Sequence, residues 1–157
     1  MHERAREFAE AARDRYGLDP AVEEFDDGTR TAEDAAAAIG CQVAQIASSI
    51  VVTDGNRAAA VVTSGANRLD TVRVADELGW DGADLAAPET VREATGWAIG
   101  GVPPFCHERD LPTLLDESLL TLDLVWAAAG TPDAVFPIDP ERLADLADAE
   151  PAAVAES

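Results

Sequence analysis

The sequence from Ser48 to Thr63 reads SSIVVTDGNRAAAVVT and contains the clearest β-hairpin of the chain. Two apolar segments, residues 48–53 and 58–63, flank a turn signal at Asp54-Gly55-Asn56. Asp, Gly and Asn favour turns because their side chains, or the lack of one, suit backbone conformations that other residues avoid. Because both segments are short and almost continuously apolar, we expect the two strands to lie in the middle of a sheet.

Short helices and strands alternate irregularly on both sides of this hairpin. Apolar stripes, N-terminal caps and C-terminal glycines predict helices at residues 3–16, 31–39, 70–78, 88–95 and 139–146. In the third helix, the residues expected to face inward are Leu69, Val72, Ala75 and Leu78. Further short strands are predicted at 22–25, 84–86, 113–115, 122–128 and 134–138. A mixture of hairpins and crossovers predicts an α+β fold with a mixed sheet or barrel flanked by helices.

The length of 157 residues predicts a single domain, which we expect to cover residues 1–147. Residues 148–157 are acidic and alanine-rich and show no apolar stripe, so a disordered tail is expected there. No apolar run approaches the roughly 20 residues that a membrane-spanning helix needs. The start of the chain lacks the pattern of a signal peptide, and the sequence therefore predicts a cytoplasmic protein without a membrane partner.

The charge is strongly acidic, with 31 acidic and 11 basic side chains and a formal net charge of −20. Every basic residue is an arginine, and acidic residues occur in all segments of the chain. This composition is typical of halophilic proteins that work in molar salt, as in the cytoplasm of haloarchaea. At 1 M salt the Debye length is about 3 Å, so an RNA could still bind through local contacts. No broad basic patch is present, and a DNA partner is not expected.

A second distinctive stretch, Gly100-Gly101-Val102-Pro103-Pro104-Phe105, joins a flexible pair of residues to a rigid pair. Such a loop can present backbone amides to a ligand, for instance as an oxyanion hole for acyl transfer, or it can simply form a tight turn. The adjacent Cys106 and His107 would point to opposite faces of an extended segment, which argues against a nucleophile and base pair. With two Cys and two His in the chain, no metal site or other cofactor is predicted, and both thiols are expected to be buried and reduced.

Several segments in their order along the chain resemble the YbaK/EbsC family of aminoacyl-tRNA editing domains. The segments that carry the resemblance are Arg30-Thr31-Ala32-Glu33, Gln45 to Val52, Thr63-Ser64-Gly65 with Arg68-Leu69-Asp70, Thr95-Gly96, the Gly100 to Phe105 loop, Leu111-Pro112 and Asp116 to Leu120. The similarity covers about Thr31 to Leu146. This family is related to the insertion domain of bacterial prolyl-tRNA synthetases.

The resemblance implies a mixed, barrel-like sheet whose cleft takes the 3′ end of a mischarged tRNA, and a free-standing deacylase that hydrolyses the aminoacyl ester. Alanyl- or cysteinyl-tRNA(Pro) would be the substrate, and a synthetase is a possible partner. Amides of Gly100 and Gly101 would hold the ester carbonyl, and a water or the terminal ribose hydroxyl would attack it. The residues implied to contact the substrate are Thr31, Ser64, Gly65, Arg68, Pro103, Asp116 and Gly130.

One position departs from the family pattern. The family usually carries a lysine on the first strand of the hairpin, and Ser48 occupies that position in this sequence. A serine hydroxyl is short and neutral, and no lysine is available elsewhere in the chain. Two hypotheses therefore stand. The first is a free-standing aminoacyl-tRNA deacylase that works in high salt, with Ser48 at the family's lysine position. The second is a catalytically weak or inactive family member that keeps the cleft and binds tRNA ends or an amino-acid derivative.

Overall fold

The structure is a computed structural model, and residues 1–25 and 31–156 are described below. The turn predicted at Asp26-Asp27-Gly28 lies outside these residues, as does Arg30. No helix in the described ranges is both long enough and apolar enough to cross a bilayer.

The described residues form five α-helices, eight strands and two short 3₁₀ helices. The helices are α1 (Glu3–Tyr16), α2 (Ala32–Ile39), α3 (Thr71–Leu78), α4 (Pro88–Thr95) and α5 (Pro140–Ala147). The strands are β1 (Glu23–Glu24), β2 (Ile46–Thr53), β3 (Ala58–Ser64), β4 (Asp84–Leu85), β5 (Thr113–Asp116), β6 (Val125–Ala128), β7 (Ala134–Ile138) and β8 (Glu150–Ala152). The 3₁₀ helices span Val43–Gln45 and Glu117–Thr121.

The strands form one mixed sheet in the order β1-β7-β6-β2-β3-β5-β8, and β4 pairs with the far end of β2. The pairs β2–β6, β3–β5 and β5–β8 are parallel, and the other pairs are antiparallel. A mixed sheet with helices packed around it confirms the predicted α+β fold.

The hairpin of β2 and β3 lies at the centre of this sheet, as predicted. Its turn is stabilised by Asp54, whose carboxylate accepts hydrogen bonds from the backbone N–H groups of Asn56 and Arg57 at 2.9 and 2.6 Å. These bonds lower the pKa of Asp54 to about 2, because they favour the charged form of the carboxylate. The residues that the sequence marks as a turn therefore also form the hydrogen bonds that close the hairpin.

Helix α1 fixes the position of the loop from Gly100 to Phe105. Its residue Phe8 is fully buried, with its ring centroid 5.8 Å from that of Phe105 and 5.0 Å from that of Phe136 on β7. Trp97 meets Phe8 edge-on at 6.2 Å. Aromatic pairs at these distances contribute packing energy beyond simple burial. The apolar stripe of α1 thus anchors one wall of the cleft described below.

The predicted inward face of α3 is partly wrong. Val74 and Ala75 are buried, whereas Val72 is 69% exposed. Asp70 caps the helix by accepting from the N–H groups of Val72 and Arg73, so the helical repeat starts at Thr71. The expected stripe assigned Val72 to the inner face, and the observed helical phase turns it towards solvent.

The expected disordered tail is wrong for residues 150–156. Glu150–Ala152 form β8, parallel to β5. Val154 is fully buried, and its carbonyl accepts from the N–H of Asp70 at 2.8 Å. A strand adds its backbone hydrogen bonds to the sheet edge without needing a continuous apolar stripe. The lack of a stripe was therefore a poor indicator of disorder. The expected domain end at residue 147 therefore excludes residues that complete the sheet.

Candidate functional site

A cleft of about 570 Å³ opens beside the central strand β2. Small-molecule sites commonly enclose about 300–1,000 Å³. The residues lining the cleft are Thr31, Ala32, Ala35, Ile46, Ala47, Ser48, Ser49, Ile50, Val51, Leu85, Ala86, Val91, Ile99, Gly100, Val102, Trp126, Ala128, Pro132 and Val135. The cleft is thus enclosed by the central strand, the start of α2, the segments around α4, and the segment between β6 and β7.

The cleft meets β2 where one edge of that strand has no partner strand among the described residues. On this edge β6 pairs only with Ile46 and Ala47, and β4 pairs only with Val52 and Thr53. We call the open part between them, residues 48–50, the β2 gap. Residues 46–51 all line the cleft, although successive strand side chains point to opposite faces. The cleft therefore extends along the whole of this open edge.

No charged side chain of the described residues lines the cleft. Its side-chain hydroxyls are those of Thr31, Ser48 and Ser49. The Thr31 hydroxyl also caps α2 by accepting from the N–H of Asp34 at 3.1 Å. The Ser49 Oγ is buried and has no hydrogen-bond partner among the described atoms. The cleft thus suits a ligand that is largely neutral where it is enclosed and that offers hydrogen-bonding groups near Ser49.

Large apolar side chains lie at the mouth of the cleft, and sequence reasoning did not identify them. Leu85 is 63% exposed and Ile99 is 54% exposed, and Trp126 on β6 is partly buried. Trp126 packs against the buried cluster of Ala35, Ala36 and Ile46. In the sequence, Trp126 lies in the predicted strand 122–128 and is followed by three alanines. This contrast in side-chain size was a signal that could have marked Trp126 as a candidate contact residue. Ser49 was also missed, since its hydroxyl is distinctive only through its surroundings.

The glycine pair has two different roles. Residues Ala98 to Gly101 form a turn in which the N–H of Gly101 donates to the carbonyl of Ala98 at 3.0 Å. Gly100 has a φ of +88°, the left-handed conformation that the third position of a type II turn requires. Gly100 lines the cleft, and Gly101 is buried behind it. In this conformation the N–H of Gly101 is not available to a ligand, which contradicts the expectation for that amide.

Gly101 also has no room for a side chain. A Cβ atom there would lie 2.7 Å from the Cα of Thr131 and 2.9 Å from its N and C atoms. Real Cβ contacts to backbone are essentially never this short, so substitution would displace the loop. A change at Gly101 therefore reports on packing, and it cannot by itself test an oxyanion site.

Pro103 and His107 stiffen the same loop from inside the protein. The imidazole Nε2 of the buried His107 lies 2.7 Å from the carbonyl oxygen of Pro103, so the nitrogen donates. Burial lowers the pKa of His107, because the charged imidazolium loses hydration. Pro103 therefore acts through its carbonyl in the loop and lies outside the residues that line the cleft.

Cys106 is not placed to act as a nucleophile. Its thiol is buried, and burial raises its pKa to about 11, so the thiol is protonated at neutral pH. His107 hydrogen-bonds Pro103 rather than this thiol. Both cysteines are free, although Cys41 is only partly buried, which corrects the expectation of two buried thiols.

Asp116 and Ser64, expected to contact substrate, form a buried network away from the cleft. Asp116 is 2% exposed and accepts from the N–H of Ser64 at 3.2 Å and from the side-chain amide of Asn67 at 2.9 Å. It also accepts from the N–H and hydroxyl of Ser118 at 3.0 and 2.8 Å. Ser64 in turn donates to the carbonyl of Ala44 at 2.8 Å. These two residues connect the ends of β3 and β5.

The remaining predicted site residues lie outside the cleft lining as well. Gly65 packs closely on the segments behind the cleft, where an added Cβ would lie 2.7 Å from the carbonyl oxygen of Val43. Gly130 has a φ of +96° and lies against Trp97 and the backbone of Arg4. The Arg68 side chain is 85% exposed and faces Glu156 at 3.9 Å. Of the predicted site residues, the structure brings together Thr31, Ser48 and Gly100 at the cleft.

Metal-ligating side chains are not clustered in residues 1–25 and 31–156. No group of three or more His, Cys, Asp or Glu side chains lies close enough there to hold an ion.

Comparisons with known proteins point to one family. The model of the aminoacyl-tRNA editing domain matches residues 26–146. The chain is 31% identical over 126 residues to the uncharacterised protein YwhH of Bacillus subtilis. This alignment covers 80% of each chain.

Solved structures give the same result across the whole chain. A protein proposed to be a trans-editing enzyme for prolyl-tRNA synthetase superposes with a TM-score of 0.94 and 41% identity, covering 100% of this chain and 99% of the other. The hypothetical protein APE2540 superposes with a TM-score of 0.85 and 29% identity, covering 95% of this chain and 99% of the other.

Proposed function

The chain belongs to the aminoacyl-tRNA editing domain family, and from that membership we propose that it hydrolyses the ester bond of mischarged aminoacyl-tRNA. The observation that carries the proposal is the cleft of about 570 Å³ beside β2, whose described lining contains no charged side chain. It has room for an aminoacyl group with part of the terminal adenosine. Small side chains, including Ala47, Ala86 and Ala128, line it and favour a small aminoacyl side chain. Alanyl- and cysteinyl-tRNA(Pro) are the proposed substrates.

The rim of the cleft supports a nucleotide ligand. Trp126, Leu85 and Ile99 offer apolar surface on which the terminal adenine could lie, and bases stack on aromatic side chains in a sequence-tolerant way. The tRNA phosphates would remain outside the enclosed space, because the described lining contains no cation to neutralise them. At high salt such local contacts, rather than the net charge of −20, would decide binding.

The reaction is an acyl transfer to water. Water adds to the ester carbonyl carbon, and the bond from that carbon to the ribose oxygen breaks. If the free hydroxyl of the terminal ribose attacks first, the acyl group moves to that hydroxyl as a new ester, and water then adds to the new ester in the same way. The ribose oxygen takes up a proton, and free amino acid and deacylated tRNA are released. Ser48 lines the cleft at the position where the family usually has lysine, so its neutral hydroxyl can orient a water or a ribose oxygen without supplying charge.

The proposed setting is the cytoplasm of a cell with a high internal salt concentration. The acidic, lysine-free composition supports this proposal. A prolyl-tRNA synthetase is the proposed partner that produces the mischarged tRNA.

The test measures release of free amino acid from a panel of mischarged tRNAs in molar KCl. Alanyl- and cysteinyl-tRNA(Pro) should be hydrolysed well above the buffer rate, and prolyl-tRNA(Pro) should not. A Ser48→Lys variant should be about tenfold faster, since a cation worth about 1.4 kcal/mol would stabilise the negative oxygen of the transition state. Ser48→Ala is the matched control without a polar group. If the wild type hydrolyses none of the panel, the proposal fails.

A binding module without hydrolysis is the second candidate, and it is favoured by the neutral Ser48 in a lining whose described residues carry no charge. In that case the wild type should bind the mischarged tRNA end without releasing amino acid, whereas Ser48→Lys should gain hydrolysis. Binding and hydrolysis measured on the same samples separate the two functions.

A further inference from the structure

The β2 gap directs the backbone of Ser49 towards the cleft. The carbonyl of Ile46 accepts from Gly65 at 2.7 Å, so the polar backbone groups of even-numbered residues face β3. The carbonyl of Val51 accepts from Ala86 at 3.0 Å on the opposite edge, so those of odd-numbered residues face away from β3. Ser49 is the odd-numbered residue in the gap, and its N–H and C=O therefore point into the opening between β6 and β4.

Three polar groups of one residue thus lack a partner among the described residues. They are the N–H and C=O of Ser49 and its buried hydroxyl. Buried polar groups are nearly always hydrogen-bonded in folded proteins. The neighbouring lining side chains, such as Ala47, Val51 and Ala86, are apolar and cannot satisfy them. A ligand in the cleft is the natural partner for this donor and these acceptors.

We infer that Ser49 binds the aminoacyl group of the substrate as one residue of an antiparallel strand would bind another. In such a pair, two residues exchange both of their N–H···O=C hydrogen bonds. The N–H of Ser49 would donate to the carbonyl of the aminoacyl ester, and the C=O of Ser49 would accept from its α-amine. The Ser49 hydroxyl would accept a second hydrogen of that amine. This inference rests on the proposed function, for which it specifies the contacts.

The arrangement has one consequence for the protein and one for the substrate. The N–H of Ser49 takes the carbonyl-binding role that the N–H of Gly101 cannot fill, because the latter closes a turn. The ligand must also carry a free amine and be one residue long. An acyl group on the amine would extend the ligand along the strand edge, where β6 pairs with Ala47 on one side and β4 with Val52 on the other.

The test uses a non-hydrolysable ligand, 3′-alanylamido-3′-deoxyadenosine, and ¹⁵N-labelled protein in molar KCl. We expect the backbone amide of Ser49 to shift and its hydrogen exchange to slow on binding. The amide of Ser48 faces β3 and should respond less. The propionyl analogue, which lacks the amine, should bind about tenfold more weakly, the effect of losing hydrogen bonds to the carbonyl and hydroxyl of Ser49. The N-acetyl analogue should not bind.

Variants test the side-chain contact separately. Ser49→Ala should weaken binding of the alanylamido ligand about threefold to tenfold and leave binding of the propionyl analogue unchanged. Val72→Ala, at an exposed position on α3 outside the cleft lining, is the control and should leave binding of both ligands unchanged. The inference is overturned if the propionyl ligand binds as tightly as the alanylamido ligand, or if other cleft amides shift while that of Ser49 does not. The failure of the proposed function would look different, as a lack of hydrolysis of every mischarged tRNA.

Discussion

At the scale of single residues, Asp116 shows how a motif residue can act at a distance from the cleft. Its carboxylate accepts four hydrogen bonds from three residues at the ends of β3 and β5. Ser64, one of these residues, precedes Gly65, which packs against the Cβ atoms of Ala32 and Ile46 in the cleft wall. The motif that suggested substrate contact thus lies outside the described cleft lining and joins the strand ends that hold Gly65 against the cleft wall.

Replacing this carboxylate should mainly reduce stability. Asp116→Ala leaves buried donors without an acceptor, and we expect the free energy of unfolding to fall by about 3 kcal/mol. Ser118→Ala removes one hydroxyl donor and should lower it by about 1 kcal/mol. Denaturant unfolding in molar KCl measures both, with exposed Asp123→Ala as the control. A loss below that of Ser118→Ala would contradict the network role of Asp116.

His107 should make stability depend on pH. Burial lowers its pKa in the folded protein, whereas the unfolded chain titrates near the ordinary value of about 6.5. Below that pH the unfolded state binds the proton more readily, so the free energy of unfolding should fall as the pH drops from about 7.5 to 5.5 and be retained above. His107→Gln, which can still donate to Pro103, should flatten this dependence. His2→Gln should preserve it, and equal slopes in all three proteins would refute the assignment.

At the scale of elements, helix starts were predictable because their signals are local. Thr31 and Asp34 form a capping box at the start of α2, with the Asp34 carboxylate accepting from the N–H of Thr31 at 3.3 Å. Asp139 caps α5 by accepting from the N–H groups of Glu141 and Arg142. Such caps join residues two or three positions apart, and so the sequence alone contains them. The partners of β8 lie more than 30 positions away, and no local pattern announces them.

The C-terminal segment gives an element-scale prediction. Val154 is fully buried against the cluster that includes Val74 and Trp80, so Val154→Ala should lower the free energy of unfolding by about 2 kcal/mol. Val72→Ala makes the same chemical change at a position that is 69% exposed and should have almost no effect. Denaturant unfolding compares the two. Equal, near-zero effects would mean that the tail does not pack on the domain.

At the scale of the whole molecule, the charge of −20 should make folding depend on salt. Acidic side chains repel one another in the compact state, and most ion pairs of the described residues have exposed partners that contribute little. We expect the free energy of unfolding to rise steeply with KCl up to about 1 M, where the Debye length is about 3 Å, and to level off beyond. Denaturant unfolding at a series of KCl concentrations measures this. Full stability in dilute buffer would contradict the halophilic assignment.

The site was less predictable than the fold because it depends on where the strands beside Ser49 end. The hairpin, the caps and most strand positions follow from local patterns, and the resemblance supplied the position of Ser48. That Ser49 faces an opening depends on β6 and β4 stopping short along β2, which involves residues about 75 and 35 positions away. That the Gly101 amide is used within its own turn depends on one hydrogen bond to Ala98. No local sequence motif indicates either the open edge beside Ser49 or the hydrogen bond of Gly101.

The short length of the β2 gap has a consequence for solubility. An exposed strand edge is a template on which other chains can add strands and aggregate. In the part of the chain that the structure describes, only Ser48 to Ile50 lie open between the residues paired with β6 and those paired with β4, a span of roughly 10 Å at about 3.3 Å per residue. A foreign strand needs a longer run of hydrogen bonds to be held. The flanking strands therefore protect the centre of the sheet from self-association while leaving an opening for a small molecule.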